Sequence, residues 1–233
     1  MMLNRRLWVA CTVSVVSVAC AKTTSPLAHQ QCNNPDDRLA AVLQPLEDLR
    51  ANGCSGVTGA ECTRLQREVE RLAVICPGHV PTLLANAVLA YDDHRPALSQ
   101  QYLDEILSQP RTYPDAAALR ARIAIEEGNL PFARRLLEQQ IKLVPDNPGL
   151  REAYAAALYL DGKMPQAIEE LTMAAALGAP AWRVAYHRGL IEEASGRLAE
   201  ASRYYVEALQ GNPAWSPAES RLKALRARDA RSQ

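Results

Sequence analysis

The chain has 233 residues, 26 basic and 26 acidic side chains, 48% apolar residues and a mean hydropathy of -0.19, which excludes disordered and collagen-like classes and leaves enough apolar surface for a core. Its 39 Ala and 30 Leu, against eight Tyr, three Trp and one Phe, favour helices packed through small side chains over a sheet, so an all-α fold is expected. A formal net charge of zero offers no basic stripe to a phosphate backbone and no polybasic run to anionic lipid, so nucleic acid is not an expected partner.

In chain order, Arg5 and Arg6 precede a 13-residue apolar stretch from Leu7 to Ala19. That stretch is too short for a stable membrane span but suits the apolar region of an export signal, so residues 1–20 are expected to direct export. The run Ser17-Val18-Ala19-Cys20 resembles a bacterial lipobox, in which signal peptidase II cuts before the cysteine and its sulfur carries diacylglycerol. Val18 and Ala19 suit that pattern, whereas Ser17 stands where an aliphatic is usual. Ala19-Cys20-Ala21 also reads as an A-x-A site cut after Ala21. The lipobox resemblance makes Cys20 the lipidation site, and Ala21 in place of Asp implies sorting to an outer membrane, touched through the anchor alone. Residues 21–33 carry Thr, Ser, Pro and Gln without apolar periodicity and are expected to form a flexible tether reaching about 20 Å.

Export decides how the cysteines are read. Cys11 leaves with the signal and Cys20 is lipidated or removed, so Cys32, Cys54, Cys62 and Cys76 remain; four in an oxidising compartment suggest two disulfides. Asn34-Pro35-Asp36-Asp37 predicts a helix start, with an Asn cap and Pro at the first helical position, and the helix stops at Gly53. Thr58-x-x-Glu61 reads as a capping box opening a second helix that ends at Cys76-Pro77-Gly78. Folded back as a hairpin over residues 34–79, these helices place Cys54 beside Cys62 at the turn and Cys32 beside Cys76 at the open end. The alternative is a metal site, because Cys76-x-x-His79 has ligand-like spacing and Cys54 and Cys62 complete four ligands. A disulfide needs no acquired ion, and structural zinc is uncommon in an exported thiol set, so the first reading is preferred and no metal and no other cofactor is expected.

The rest of the chain repeats. Gly128, Gly162 and Gly196 recur at intervals of 34, with Ala133, Ala167 and Ala201 each five residues later. Seven residues before each glycine stands a small residue, Ala121, Ala155 or Gly189, where two helices must approach closely, and Pro145 and Pro213 end second helices. This pattern resembles the tetratricopeptide (TPR) repeat, which implies a right-handed α-solenoid of helix-turn-helix units. The frame gives units at 80–113, 114–147, 148–181 and 182–215. In the first of these Ala87, Ser99, Leu103 and Ile106 fall on the landmarks, and His94 replaces the turn glycine. Leu65, Val69 and Leu72 make the cysteine hairpin a degenerate first repeat, and residues 216–233 form a C-terminal capping helix. The large aromatic common early in the first helix of such units is absent, with Leu83, Ala117, Arg151 and Ala185 in its place.

Stacked units curve around a concave groove that suits extended peptides or helices. In the TPR family the first helix of each unit lines it, which on this chain implies Val88, Tyr91, Asp92, Arg122, Ile125, Glu126, Glu152, Ala156, Tyr159, Arg183, Tyr186, Leu190 and Glu193. Tyrosines beside charges fit a peptide surface. The Lys and Asn of the clamps that hold acidic chaperone tails are replaced by Leu84 and Val88. Catalysis is not expected, for there is no phosphate-cradling loop, HExxH or G-x-S-x-G. His29, His79, His94 and His187 lack an evident nucleophile, and the pairs Glu126-Glu127, Glu169-Glu170 and Glu192-Glu193 point about 100° apart on a helix. The expected function is a non-enzymatic periplasmic scaffold binding a protein or peptide rather than a small-molecule substrate, resembling outer-membrane TPR lipoproteins of the pilotin and cell-wall-adaptor type. The alternative is a structural or metal-binding module centred on the Cys/His hairpin, with the repeats as spacer.

Overall fold

The computed structural model describes residues 32–232; the export signal, Cys20, His29 and most of the tether lie outside the described residues. Among them are eleven helices and no strand. We number these α1 Pro35–Ala51, α2 Val57–Ile75, α3 Val80–Asp92, α4 Pro96–Leu107, α5 Pro114–Glu126, α6 Leu130–Leu143, α7 Pro148–Leu160, α8 Met164–Ala176, α9 Ala181–Ala194, α10 Leu198–Gly211 and α11 Ser216–Ser232. No described helix is long and apolar enough to cross a membrane. Each helix packs on the next, and α1 also meets α3, α5 meets α7, and α7 meets α9. Odd-numbered helices therefore adjoin along one side, as expected of a stacked α-solenoid.

Proline sets most helix starts, occupying the first or second position of α1 and of α3 through α8, where its missing N–H costs nothing and its fixed φ is already helical. Asn129 and Asn147 accept from the backbone N–H of Phe132 and Leu150, capping α6 and α7. The hairpin starts differ from the sequence expectation. Asn34 adopts left-handed geometry, φ 47°, and its side chain makes no cap bond. The helix after it relies on Pro35 and the two acids of its first turn. Thr58 lies inside α2 and donates its hydroxyl back to the Gly53 and Ser55 carbonyls, while Glu61 pairs with Arg64 at 2.7 Å. The tight turn drawn by the nearby disulfide leaves Gly56, φ 60°, at the cap position, so no capping box forms.

The turns within units close in one way. Gly128, Gly162 and Gly196 have φ between 73° and 78°. The residue after each donates to the carbonyl five back, as Asn129 does to Ala124 at 2.7 Å, which is the Schellman arrangement. His94 takes the same role with φ 57°, and Arg95 bonds Ala90 at 2.8 Å. Within units the close contacts repeat: Ala87 with Leu103, Ala121 with Leu137, and Ala155 with Leu171 share core clusters. In the last unit the pair becomes Gly189 with Tyr205, whose ring is fully buried. A Cβ built on Gly189 would stand 2.5 Å from Tyr205 Cε1. Ser99, Ala133, Ala167 and Ala201 are all fully buried, and Ser99 donates to the Ala87 carbonyl at 2.7 Å.

The hairpin carries two disulfides, Cys32 to Cys76 across its open end and Cys54 to Cys62 at its turn. All four sulfurs are thereby bonded. The hairpin stacks on the next unit through Leu65, Val69 and Leu72 in its core and through Asn86, which donates to the Val69 carbonyl at 3.0 Å. Arg50 reaches Asp93 at 3.2 Å. His79 is held between Thr82 at 2.7 Å and Asp36 at 3.2 Å. Among the described residues no group of three or more His, Cys, Asp or Glu is placed to hold a metal ion. At the other end Ala218, Leu222 and Leu225 of α11 are buried against α10, covering the last unit. The positions lacking the early aromatic fill without it: Leu83, Ala117 and Ala185 are buried, and Arg151 bonds Glu170 and the Pro145 carbonyl, both at 2.9 Å.

Candidate partner-binding groove

The side formed by α5, α7 and α9 opens into a cavity of about 780 Å³, lined also by Trp215 and Pro217. Helix α9 builds most of one wall through two adjacent pairs spaced by four residues, Trp182 with Tyr186 and Arg183 with His187. Such pairs share a helix face, so one strip is aromatic and its neighbour carries the N–H groups of Arg183 and His187. Gly211, at the end of α10, admits Trp182, because a Cβ there would stand 2.7 Å from the Trp182 Cβ. Trp215 meets Trp182 edge-on at 4.8 Å and Tyr186 at 6.1 Å with planes 85° apart, arrangements favoured by the ring quadrupoles.

Opposite stands Glu152, one turn into α7 and only 3% exposed. Its Oε1 accepts from Arg183 Nε at 2.8 Å and from His187 Nε2 at 3.2 Å. Its Oε2 is buried without a partner. Burial opposes the charge on Glu152, but the hydrogen bonds from His187 and Arg183 outweigh it and hold the carboxyl below its ordinary value. The group is therefore an anion kept dry by two donors. On α5, Arg122 bonds Glu126 at 3.2 Å and lies 5.1 Å above the Tyr91 ring. Tyr91 donates its hydroxyl to Glu126, and burial followed by that bond pushes its phenol up to about 12.

Of the residues expected in the groove, Arg122, Ile125, Glu126, Glu152, Ala156, Arg183 and Tyr186 come together around this one cavity. Tyr91 does not line it but braces Glu126, which does. Tyr159 packs on the cluster of Ala155 and Leu158. Glu193 is withdrawn as well, accepting from Tyr205 at 2.7 Å and from Arg221 at 3.5 Å. Sequence reasoning missed Asp115, Trp182, His187 and Trp215, which also line the cavity. One signal was available, since Trp182 and Trp215 are the only tryptophans beyond Trp8. One member of each acid pair serves structure: Glu127 bonds Gln100, Glu170 bonds Arg151, and Glu192 bonds Arg197.

No family model matches the chain, and no curated protein does. Solved structures with similar folds are numerous. A tetratricopeptide repeat protein from Parabacteroides merdae superposes with a TM-score of 0.61 at 17% identity, covering 87% of this chain and 86% of that one. The thermophilic TPR protein TTC0263 from Thermus thermophilus gives 0.64 at 15% identity, with 82% and 98% covered. MamA from Desulfovibrio magneticus gives 0.53 at 12%, with 77% and 97% covered. Together with the 34-residue register of its turns, these likenesses establish that the chain has the tetratricopeptide-repeat fold.

Proposed function

We propose that this protein is a non-enzymatic scaffold that holds a protein or peptide partner against α5, α7 and α9. The observation that carries the reading is the cavity itself, in which aromatic anchors stand beside buried, hydrogen-bonded charge on the inner side of the repeats. Aromatic and arginine anchors in a desolvated pocket are where binding energy concentrates. The reading assigns no catalysis: His187 is committed to Glu152, and His79 to Thr82 and Asp36. It also sets aside the metal-binding hairpin, whose four sulfurs are bonded to one another.

The leader supports the setting. An export signal followed by Cys20 suits a periplasmic chain anchored by lipid to the outer membrane, where a tethered groove would assist assembly of an envelope complex. The units are those set by the frame, the hairpin 34–79, four repeats through 215, and the final cap.

A photo-crosslinking residue at Ala156, in the cavity, should capture a partner, and one at Val74, on the exposed side of α2, should not. Equal capture from both positions sinks the groove reading. Palmitate labelling that is lost in Cys20→Ala is expected, and an unlabelled parent chain removes the anchor while leaving the groove untouched.

A further inference from the structure

We infer that the partner enters this groove through a basic side chain, a peptide lysine or arginine whose stem lies along Trp182, Tyr186 and Trp215 and whose cationic head meets the carboxylates of Glu152 and Asp115. The inference rests on the groove reading above and adds the chemistry of the occupant.

The groups lining the cavity are not all paired. Asp115, Glu126 and Glu152 face Arg122, Arg183 and His187, and the two arginines and the imidazole are each already bonded to a carboxylate within 3.2 Å. The one left over among the described residues is acidic. Asp115, in the first turn of α5, is exposed and in no ion pair found among the described residues. Glu152 is the deeper acceptor: both of its donors converge on Oε1, and Oε2 receives nothing although it is buried. A carboxylate oxygen can accept two hydrogen bonds, and leaving one dry and unmatched is costly. One of the two donors on Glu152 is movable. The Arg183 side chain is 42% exposed and reaches Glu152 through Nε alone. An incoming cation can take over that position while Arg183 turns to water, so the buried carboxylate keeps a positive neighbour throughout.

The opposite occupant, a peptide carboxylate on Arg122 and Arg183, fails on the same geometry. It would have to share Arg122 and Arg183 with Glu126 and Glu152, to which they are already bonded, and would set a further carboxylate beside the buried Glu152. The aromatic wall favours the basic choice too, since lysine and arginine lay apolar stems and cationic heads on indole and phenol faces.

The test uses the full chain, immobilised, and pools of N-acetylated, C-amidated nonapeptides, each pool with one fixed central residue. Retention of the Lys and Arg pools should exceed that of the Gln and norleucine pools by about tenfold, the scale of a hydrogen bond to a buried charge. The preference should vanish in Glu152→Gln and weaken in Asp115→Asn, an exposed change that leaves the core alone; circular dichroism verifies each variant's fold. Retention that depends on Trp182 but favours acidic or neutral pools, or a basic preference unchanged in both carboxylate variants, overturns the inference and leaves the groove reading standing. Retention that is absent, or equal in Trp182→Ala, overturns both.

Discussion

Replacing Gly189 by alanine isolates the contact that distinguishes the last unit from the others. In a helix interior the change alone should stabilise by about 0.8–1 kcal/mol through propensity. Here the new Cβ would stand 2.5 Å from Tyr205 Cε1 and 2.7 Å from Cδ1, against a contact distance of about 3.5–4 Å. The ring must therefore shift by about 1 Å or more in a fully buried site, pulling on its hydroxyl bond to Glu193. Overpacking of this kind costs about 1–3 kcal/mol. With an ångström-scale shift demanded, the upper half of that range applies and steric cost wins, leaving a net loss of about 1–2 kcal/mol. For a chain of this size that is about 2–8 °C in melting temperature, read by circular dichroism at 222 nm. The repair is already written in the other units, where alanine faces Leu103, Leu137 or Leu171. Adding Tyr205→Leu to Gly189→Ala should give a double variant more stable than the two single losses summed, with a coupling of about 1 kcal/mol or more. A Gly189→Ala chain that melts at or above the parent, or a cycle with no coupling, refutes the reasoning.

Three further outcomes follow from the same coordinates. Removing the Cys32–Cys76 disulfide by paired serines should cost about 4 kcal/mol and removing Cys54–Cys62 about 2.5, by loop-closure entropy over separations of 44 and 8, and removing both should cost less than the sum; denaturant melts of the three variants check this order. Because the folded Glu152 carboxyl lies below its ordinary value of 4.5, its ionised form contributes stability above that pH, lost as pH falls through 4.5 toward the lower folded value; unfolding free energy should therefore decline more steeply over that window in the parent than in Glu152→Gln, and parallel slopes would contradict the assignment. His94→Gly should stabilise by up to about 1 kcal/mol, because His94 holds the left-handed conformation that its counterparts fill with glycine; a lower denaturation midpoint would show the imidazole makes a contact worth more than the strain.

The repeat was legible because it is enforced by backbone: only a residue tolerant of positive φ closes each turn, and only a small one lets two helices meet. Those demands recur at a fixed interval, so Gly128, Gly162 and Gly196 and the alanines after them announce the architecture. The hairpin disulfides were legible for a related reason, two helices of nearly equal length having one way to fold back. The wall of the groove was harder to see. Trp215 sits in a connection between α10 and α11, outside any unit's first helix, and reaches the cavity because the chain turns there. Burial of Glu152 depends on α9 lying across α7, a tertiary fact that spacing within α7 does not contain. The cap readings failed for another reason: a polar residue before a helix has several local conformations and bonds open to it, and Thr58 takes the carbonyls its turn offers while Asn34 adopts left-handed backbone geometry.

The two ends of the rod are held in different ways. At the start, covalent cross-links fasten the first pair of helices, while at the finish α11 stays in place through Ala218, Leu222, Leu225 and the Arg221 to Glu193 contact. Thermal unzipping should therefore begin at the carboxyl-terminal end, and the first layer to peel away takes with it the connection bearing Trp215. Indole emission would then register fraying there before helical signal is lost, making the tryptophan-lined chamber the early gauge of the whole stack's integrity.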